Sequence, residues 1–290
     1  MTNEQKEQIQ NFQLTSDIFC CVVLENIKAC QEVIRIITGE DITLTEVKYQ
    51  ETILQLANHS VRIDICAKDI YGRTIGIEMH PQSNEDRVKR NRYNIASIDI
   101  KSLATGKKYA DLPDTYCIYI TAADFLRTKK GINKVERYIQ NTNKEIPNGV
   151  SEYYVNISCE GDTPAQTALL KYMKNSDGIT ESEYFPNLVK QVRFLKEEKK
   201  GENIMCEIMD AIIKDERLKA ITEGLAEGRA EGRAEGRAEG RAVGRAEGRA
   251  EGRAEGIVLT LKMLNYETDA IVIHLSNELG ITTEEAIHYV

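Results

Sequence analysis

The chain has 290 residues, a formal net charge of −8, 29% charged residues and no tryptophan. That balance excludes a basic, sequence-indifferent coat for nucleic acid, so any contact with DNA or RNA has to come from a local patch. Seven cysteines without a C-x-x-C pair, and four scattered histidines, argue against a structural zinc site. No secretory signal opens the sequence, so reduced intracellular thiols and a cytoplasmic location are expected. The longest apolar run, Ile18–Leu24, is far too short to cross a bilayer, and no membrane contact is expected.

Met1–Leu14 is polar and reads as a frayed lead-in. Thr15, Ser16 and Asp17 then supply N-cap chemistry ahead of an apolar run. Phe19, Val22, Val23, Ile27, Cys30, Ile34 and Ile37 recur at helical spacing up to Gly39, a C-cap residue. The spacing predicts one helix, or a helix broken near Glu25–Asn26. Glu25 interrupts the apolar stretch and by itself reads as an exposed helix residue. Alternation over Glu46–Ala57 predicts a strand.

Val61–His80 is the centre of the chain. Val61, Ile63, Ile65 and Ala67 alternate with Arg62, Asp64 and Cys66, and Ile75, Ile77 and Met79 alternate with Gly76, Glu78 and His80. Two half-buried strands follow, joined at Gly72 beside Asp69 and Arg73. Symmetry about Tyr71 pairs Ile65 with Ile77 and Ile63 with Met79, and sets Asp64 opposite Glu78. Carboxylates facing each other across a ladder repel. Either they sit on a solvated sheet face, or the strands hold something positive, for which a hard divalent cation with oxygen ligands is the natural occupant. His80 follows on the same face.

Pro81–Asn84 ends the hairpin and offers Asn84 as an N-cap, with Glu85 and Asp86 in a first helical turn that favours anions. The helix runs to about Ala104, with Tyr93, Ala96, Ile100 and Leu103 as its apolar stripe. Arg87, Lys89, Arg90 and Arg92 crowd its start. Glu85–Ala110 holds seven Lys/Arg against three Asp/Glu in an acidic chain. Such crowding suits a solvated face with ordinary salt bridges, a polyanion, or the carboxylates of the hairpin. Thr115–Ala122 is a nearly continuous apolar run, expected as a central strand buried on both faces. A mixed sheet packed with helices follows from this order.

Lys134–Gln140 and Tyr153–Ser158 read as further strands. Helical stripes follow at Ala168, Leu169 and Tyr172, at Phe185, Leu188, Val192 and Leu195, and at Met205, Ile208 and Ile212. Glu223–Gly256 repeats Ala-Glu-Gly-Arg, with Val243 as a variant. Each four-residue unit overshoots a helical turn by about 40°. Like charges therefore meet at i, i+4, and each Gly costs roughly 1 kcal/mol against Ala. The segment reads as a helical or partly disordered spacer. Ile257–Val290 has a helix-turn-helix layout but carries one Lys against five acids, which suits contact with protein and not a DNA groove. The expected division is 1–125, 126–222, 223–256 and 257–290.

Several stretches in fixed order carry a resemblance: S-D-I-F before the first helix, I-T-G-E-D-I after it, V-R-I-D-I-C-A-K-D, G-I-E-M-H, K-R-N-R-Y and G-K-K-Y-A-D-L-P-D-T-Y-C-I-Y-I-T, with Y-F-P-N-L-V-K-Q-V-R-F-L-K-E-E-K-K-G beyond them. Together they resemble the PD-(D/E)XK nuclease family transposases, or recombination-promoting nucleases, closely over Asp17–Phe125. The resemblance implies a restriction-endonuclease-like mixed sheet flanked by helices, and Mg²⁺-dependent (or Mn²⁺-dependent) hydrolysis of DNA. It places the acidic pair on Asp64 and Glu78 and makes Glu25 a candidate further metal carboxylate. His80 stands where the family usually has Gln or Lys. Arg87, Lys89, Arg90, Arg92 and Tyr93 fall toward the DNA backbone. The rival is a catalytically inactive nuclease fold that binds DNA or protein. A second copy or another protein is the expected partner of the repeat and the C-terminal helices.

Overall fold

The structure, a computed structural model, describes residues 3–53, 61–80 and 87–290. Asn84, Glu85 and Asp86 lie outside the described residues. The chain forms two compact units, Met1–Asp210 and Ala211–Val290.

The first unit opens with three helices, α1 (Asn3–Asn11), α2 (Asp17–Leu24) and α3 (Ile27–Thr38). The expected frayed lead-in is helical instead. Ile9 and Leu14 are buried, and Gln13 Oε1 accepts from Ser176 N and Oγ. Phe12 adds a ring stacked on Phe19, and Gln10 Nε2 donates to Lys196 O, so apolar anchors and amides together dock an otherwise polar segment. The break between α2 and α3 falls at Glu25–Asn26, because Asn26 Oδ1 accepts from Lys28 N and Ala29 N and starts a new helix. Gly39, at φ +73°, ends it.

There follow β1 (Leu44–Ile53), β2 (Val61–Asp69), β3 (Thr74–Met79), α4 (Arg87–Ser102), β4 (Thr115–Thr121), β5 (Ile132–Val135), β6 (Tyr138–Ile139), β7 (Lys144–Glu145) and β8 (Val150–Asn156), then α5 (Pro164–Lys174) and α6 (Pro186–Glu197). Six strands make one mixed sheet in the order β1-β2-β3-β4-β8-β5. β1, β2 and β3 form an antiparallel meander. β3, β4 and β8 run parallel, and β5 closes the far edge antiparallel. A parallel neighbour needs a crossover, and α4 provides it between β3 and β4. β5 and β8 belong to this sheet, so the expected boundary at residue 125 cuts through a single core and is not a domain limit.

The turn between β2 and β3 lies where Gly72 marks it, at φ +78°. Asp69 Oδ1 accepts from Tyr71 N and Arg73 N, which fixes the loop and with it the register. Ile65 pairs with Ile77, as the symmetry about Tyr71 requires.

The face of the sheet carrying Ile65, Ala67, Ile77, Ile118 and Val155 packs on α2, α3, α5 and α6 in the main core. The opposite face is covered by α4, and here the expected stripe is wrong. Tyr93, Ala96 and Ile100 are exposed, and the buried side of α4 is Asn91, Asn94, Ile95, Ser97 and Ile98. The floor beneath it explains the choice. Asn91 Nδ2 donates to Glu152 Oε2 and Tyr154 Oη, each at 3.2 Å, and Thr115 Oγ1 donates to Asp99 Oδ1 at 2.9 Å. Asn91 thus pairs two polar groups of the floor, while its own Oδ1 and Asn94 Nδ2 have no hydrogen-bond partner among the described residues. Gly76 lies in this floor. A Cβ there would stand 3.3 Å from Ile98 Cδ1 and 3.6 Å from Ile63 Cγ2.

Regular alternation along β2 also fails, at one point. Ile65 and Ala67 belong to the main core, but Val61 and Ile63 pack with Ile53 and Ile98 beneath α4. The same switch occurs on β1: Lys48, Glu51 and Ile53 line one cleft with Cys66 and Ile98. Between the two halves Gln50 takes φ +48°, and the ladder lacks the Gln50–Asp64 pair that its register implies. Gln50 and Asp64 are thus the kink at which both strands exchange faces.

The second unit is built on α7 (Lys199–Met263), with α8 (Thr268–Leu279) and α9 (Thr283–Ile287). The N-terminal turns of α7 serve the first unit, where Met205 and Cys206 join the core. The Ala-Glu-Gly-Arg units are helical and, up to the buried Ala254, exposed, as expected of a helix polar all round. Val258, Leu261, Ile271, Val272, Leu275 and Ala286 form a small separate core. Among the described residues no helix is long and apolar enough to cross a membrane.

Two predictions follow from the backbone. An L-residue in the left-handed region costs roughly 1–2 kcal/mol, more if β-branched. Gln50→Gly should therefore match or exceed wild-type stability, while Gln50→Val should lose about 2 kcal/mol, read by urea unfolding. A Cβ at Gly232, Gly236 or Gly240 meets open space. Replacing all three with Ala should raise helix stability by about 1 kcal/mol per site, visible as a later ellipticity loss at 222 nm on heating.

Candidate functional site

The ladder between β2 and β3 stops at Ile65–Ile77. One residue further the strands part, and the Met79 N–H donates to Asp64 Oδ2 at 2.9 Å. Asp64 and Glu78 are therefore not a ladder pair in the strict sense. The kink takes Asp64 out of the alternation and lets its carboxylate reach across to β3. One ligand atom each from Asp64, Glu78 and His80 lie within 4.8 Å of one another.

Glu78 is fully buried. Its Oε2 is 2.9 Å from His80 Nε2 and 3.8 Å from Arg90 Nη2. Its Oε1 has no hydrogen-bond partner among the described residues. The His80 ring stacks on Tyr119, with centroids 5.5 Å apart, and His80 N donates to Ile120 O. Parallel pairing puts Tyr119 beside Glu78, and Tyr154 beside Tyr119. The row from Glu78 across the sheet is thus polar or aromatic throughout.

Burial is the main force on Asp64 and pushes its carboxyl up to about 6; the nearby charge of Glu78 adds to it. The Met79 N–H and His80 hold it down in part. On the helix side the Cys21 thiol donates to the Asp64 carbonyl oxygen at 3.5 Å. All seven cysteines are free, and only Cys159 is not buried.

The other expected site residues divide. Arg90 reaches Glu78, and Arg87 lies over the Phe125 ring at 5.1 Å. Lys89, Arg92 and Tyr93 lie on the outward face of α4. This follows from 100° per residue: once Asn91 and Asn94 face the sheet, positions 87 and 90 turn inward with them and 89, 92 and 93 do not. Glu25 does not join the cluster. It caps α2 at the C-terminal end, exposed. The acid of α2 whose charge raises Asp64 is Asp17, at the other end of the helix. Tyr119, Asn91 and Glu152 were missed. The alternation of Cys117, Tyr119 and Thr121 against Tyr116, Ile118 and Ile120 marked the polar side of β4, but a run this apolar reads as buried on both faces.

A carboxylate raised from its unfolded value of 3.8 to about 6 makes the folded chain hold a proton that the unfolded chain has released. Its contribution to stability is present below about pH 4 and is lost as pH rises through about 6. In a chelator, Asp64→Asn should exceed the wild type by about 1–3 kcal/mol near pH 7 and converge with it near pH 4. Denaturant titrations at both pH values measure this, and a constant difference would contradict it. Comparison with known proteins returned no matching family model, no matching curated protein and no matching solved structure.

Proposed function

We propose that this chain is a metal-dependent DNA endonuclease with a restriction-endonuclease-like core, of the recombination-promoting kind that its sequence resembles. One observation carries the reading. Asp64, Glu78 and His80 bring three ligand atoms within 4.8 Å, and one of them belongs to a fully buried carboxylate with an oxygen left over. An orphaned buried oxygen is costly, and a hard divalent cation is the occupant whose chemistry answers it. The donor set therefore fits Mg²⁺ or Mn²⁺, held by Asp64 and Glu78.

When bound, such an ion lowers the pKa of a coordinated water and offsets the charge that builds on a phosphoryl group. The chain supplies the rest. Met79 N–H fixes the orientation of Asp64. His80, stacked on Tyr119, keeps Nε2 next to Glu78 and is placed to hold a water by hydrogen bond where related chains use Gln or Lys. Arg90 brings a cation to the same carboxylate and would meet the phosphate beside it. The kinked strands and α4 keep Glu78 away from bulk water, which strengthens each of these interactions.

The test is nicking of supercoiled plasmid with Mg²⁺ or Mn²⁺. Wild type should cut, and Asp64→Ala and Glu78→Ala should each lose at least about 100-fold in rate. Mn²⁺ should also raise the melting temperature of the wild type and of neither variant. Equal cutting by all three proteins sinks the proposal. No cutting together with no metal-induced stabilisation leaves the binding-module reading in its place.

A further inference from the structure

The basic segment singled out in the sequence is the start of α4, yet another cationic stretch lies at the same end of the sheet. β4 runs parallel to β3, with Tyr119 beside Glu78, and it ends at Thr121. The loop that follows, up to β5, therefore leaves the sheet at the end that holds Glu78 and His80. It carries Arg127, Lys129 and Lys130, all exposed.

This loop is tightly held. Asp124 accepts from Thr128 N through Oδ1 at 3.2 Å, from Lys129 N through Oδ2 at 2.9 Å and from Arg127 N through its carbonyl at 3.1 Å. Asn133 Nδ2 donates to Lys130 O. Phe125 packs edge-on against Tyr154, at 5.6 Å, and carries Arg87 on its face. The loop is thereby tied to the aromatic row of the site and to α4.

Its backbone is strained in a telling way. Arg127 takes φ +55° and Lys129 φ +58°. The other described non-glycine residues in this region are Gln50, Asn143 and Asn265, and asparagine adopts it readily. Glycine would relieve both positions. Long cations stand there instead, and among the described residues neither forms an ion pair, whereas Lys130 is 3.4 Å from Asp162. Strain kept at exposed, unneutralised cations in an acidic chain points to an anionic ligand.

Resting on the nuclease reading of the carboxylate site, we propose that the Asp124–Lys130 loop is a preset clamp for the phosphate backbone of double-stranded DNA, with Arg127 and Lys129 as its contacts. From Glu78 to Tyr154 is two strand spacings, roughly 10 Å. A duplex with its scissile phosphate at Asp64 and Glu78 would thus pass the loop within about half a helical turn, ~17 Å. The contacts are to phosphate and carry no sequence information.

The test is fluorescence anisotropy with a labelled duplex of about 20 base pairs in Ca²⁺, over a salt series. Arg127→Ala/Lys129→Ala should weaken binding about tenfold at low salt and lower the slope of log K against log salt by about 2. The charge-keeping swap Arg127→Lys/Lys129→Arg should bind like wild type. Melting curves of all three proteins should coincide within a few degrees. Wild-type binding that the double alanine variant leaves unchanged overturns the clamp alone. Loop-dependent binding with no metal-dependent nicking supports the clamp and removes the nuclease reading. A wild type that binds no duplex overturns both.

Discussion

Two carboxylates kept close together and mostly out of water are the constraint around which the first unit is arranged. Left to Coulomb repulsion and desolvation, Asp64 and Glu78 would drive β2 and β3 apart. The chain answers with a main-chain donor for one, Met79 N–H, and with an imidazole and a guanidinium for the other, His80 and Arg90. These partners do not fully satisfy the pair. Glu78 keeps an unmatched oxygen, and Asp64 holds its proton more tightly than a free carboxylate. The pair is therefore held at a cost in folding stability.

The kink at Gln50 and Asp64 changes how the two acids meet. In an unbroken ladder the two acids would stand side by side on one face. By exchanging faces at that point, both strands free Asp64 from the alternation and let it turn toward β3. The exchange also gives α4 an apolar foothold on Val61, Ile63 and Ile53 next to its polar one. A single left-handed residue thus serves both the packing of α4 and the placement of Asp64.

Much of this was legible in the residues. The hairpin register followed from Gly72 and the symmetry about Tyr71, whereas the spacing of the first apolar run left one helix or a break near Glu25–Asn26 open. The approach of Asp64, Glu78 and His80 followed from the register, although the Ile63–Met79 pair that it also implied is not formed. The kink did not, because Val61, Ile63, Ile65 and Ala67 are all apolar. Alternation in hydrophobicity continues through a switch of faces when both faces are covered. The inward side of α4 was misread for a related reason. Periodicity finds the apolar stripe of a helix, and here the partner surface is polar, so the stripe that packs is the one with the amides. Ile9 and Leu14 show the opposite limit, since two apolar residues in a polar segment give no periodic signal at all.

Gly76 has a wider consequence. It lies two residues before Glu78 on the floor beneath α4, where a Cβ would meet Ile98 Cδ1 at 3.3 Å. Side-chain volume at 76 and at 98 is effectively one quantity, since bulk added below has to be taken away above. Ile98 shares α4 with Arg90, whose guanidinium lies 3.8 Å from Glu78 Oε2. The seating of α4, and with it the electrostatics around Glu78, is thereby linked to uncharged side chains. An uncharged substitution in that layer would shift α4, and through Arg90 the field at Glu78, without touching either acid.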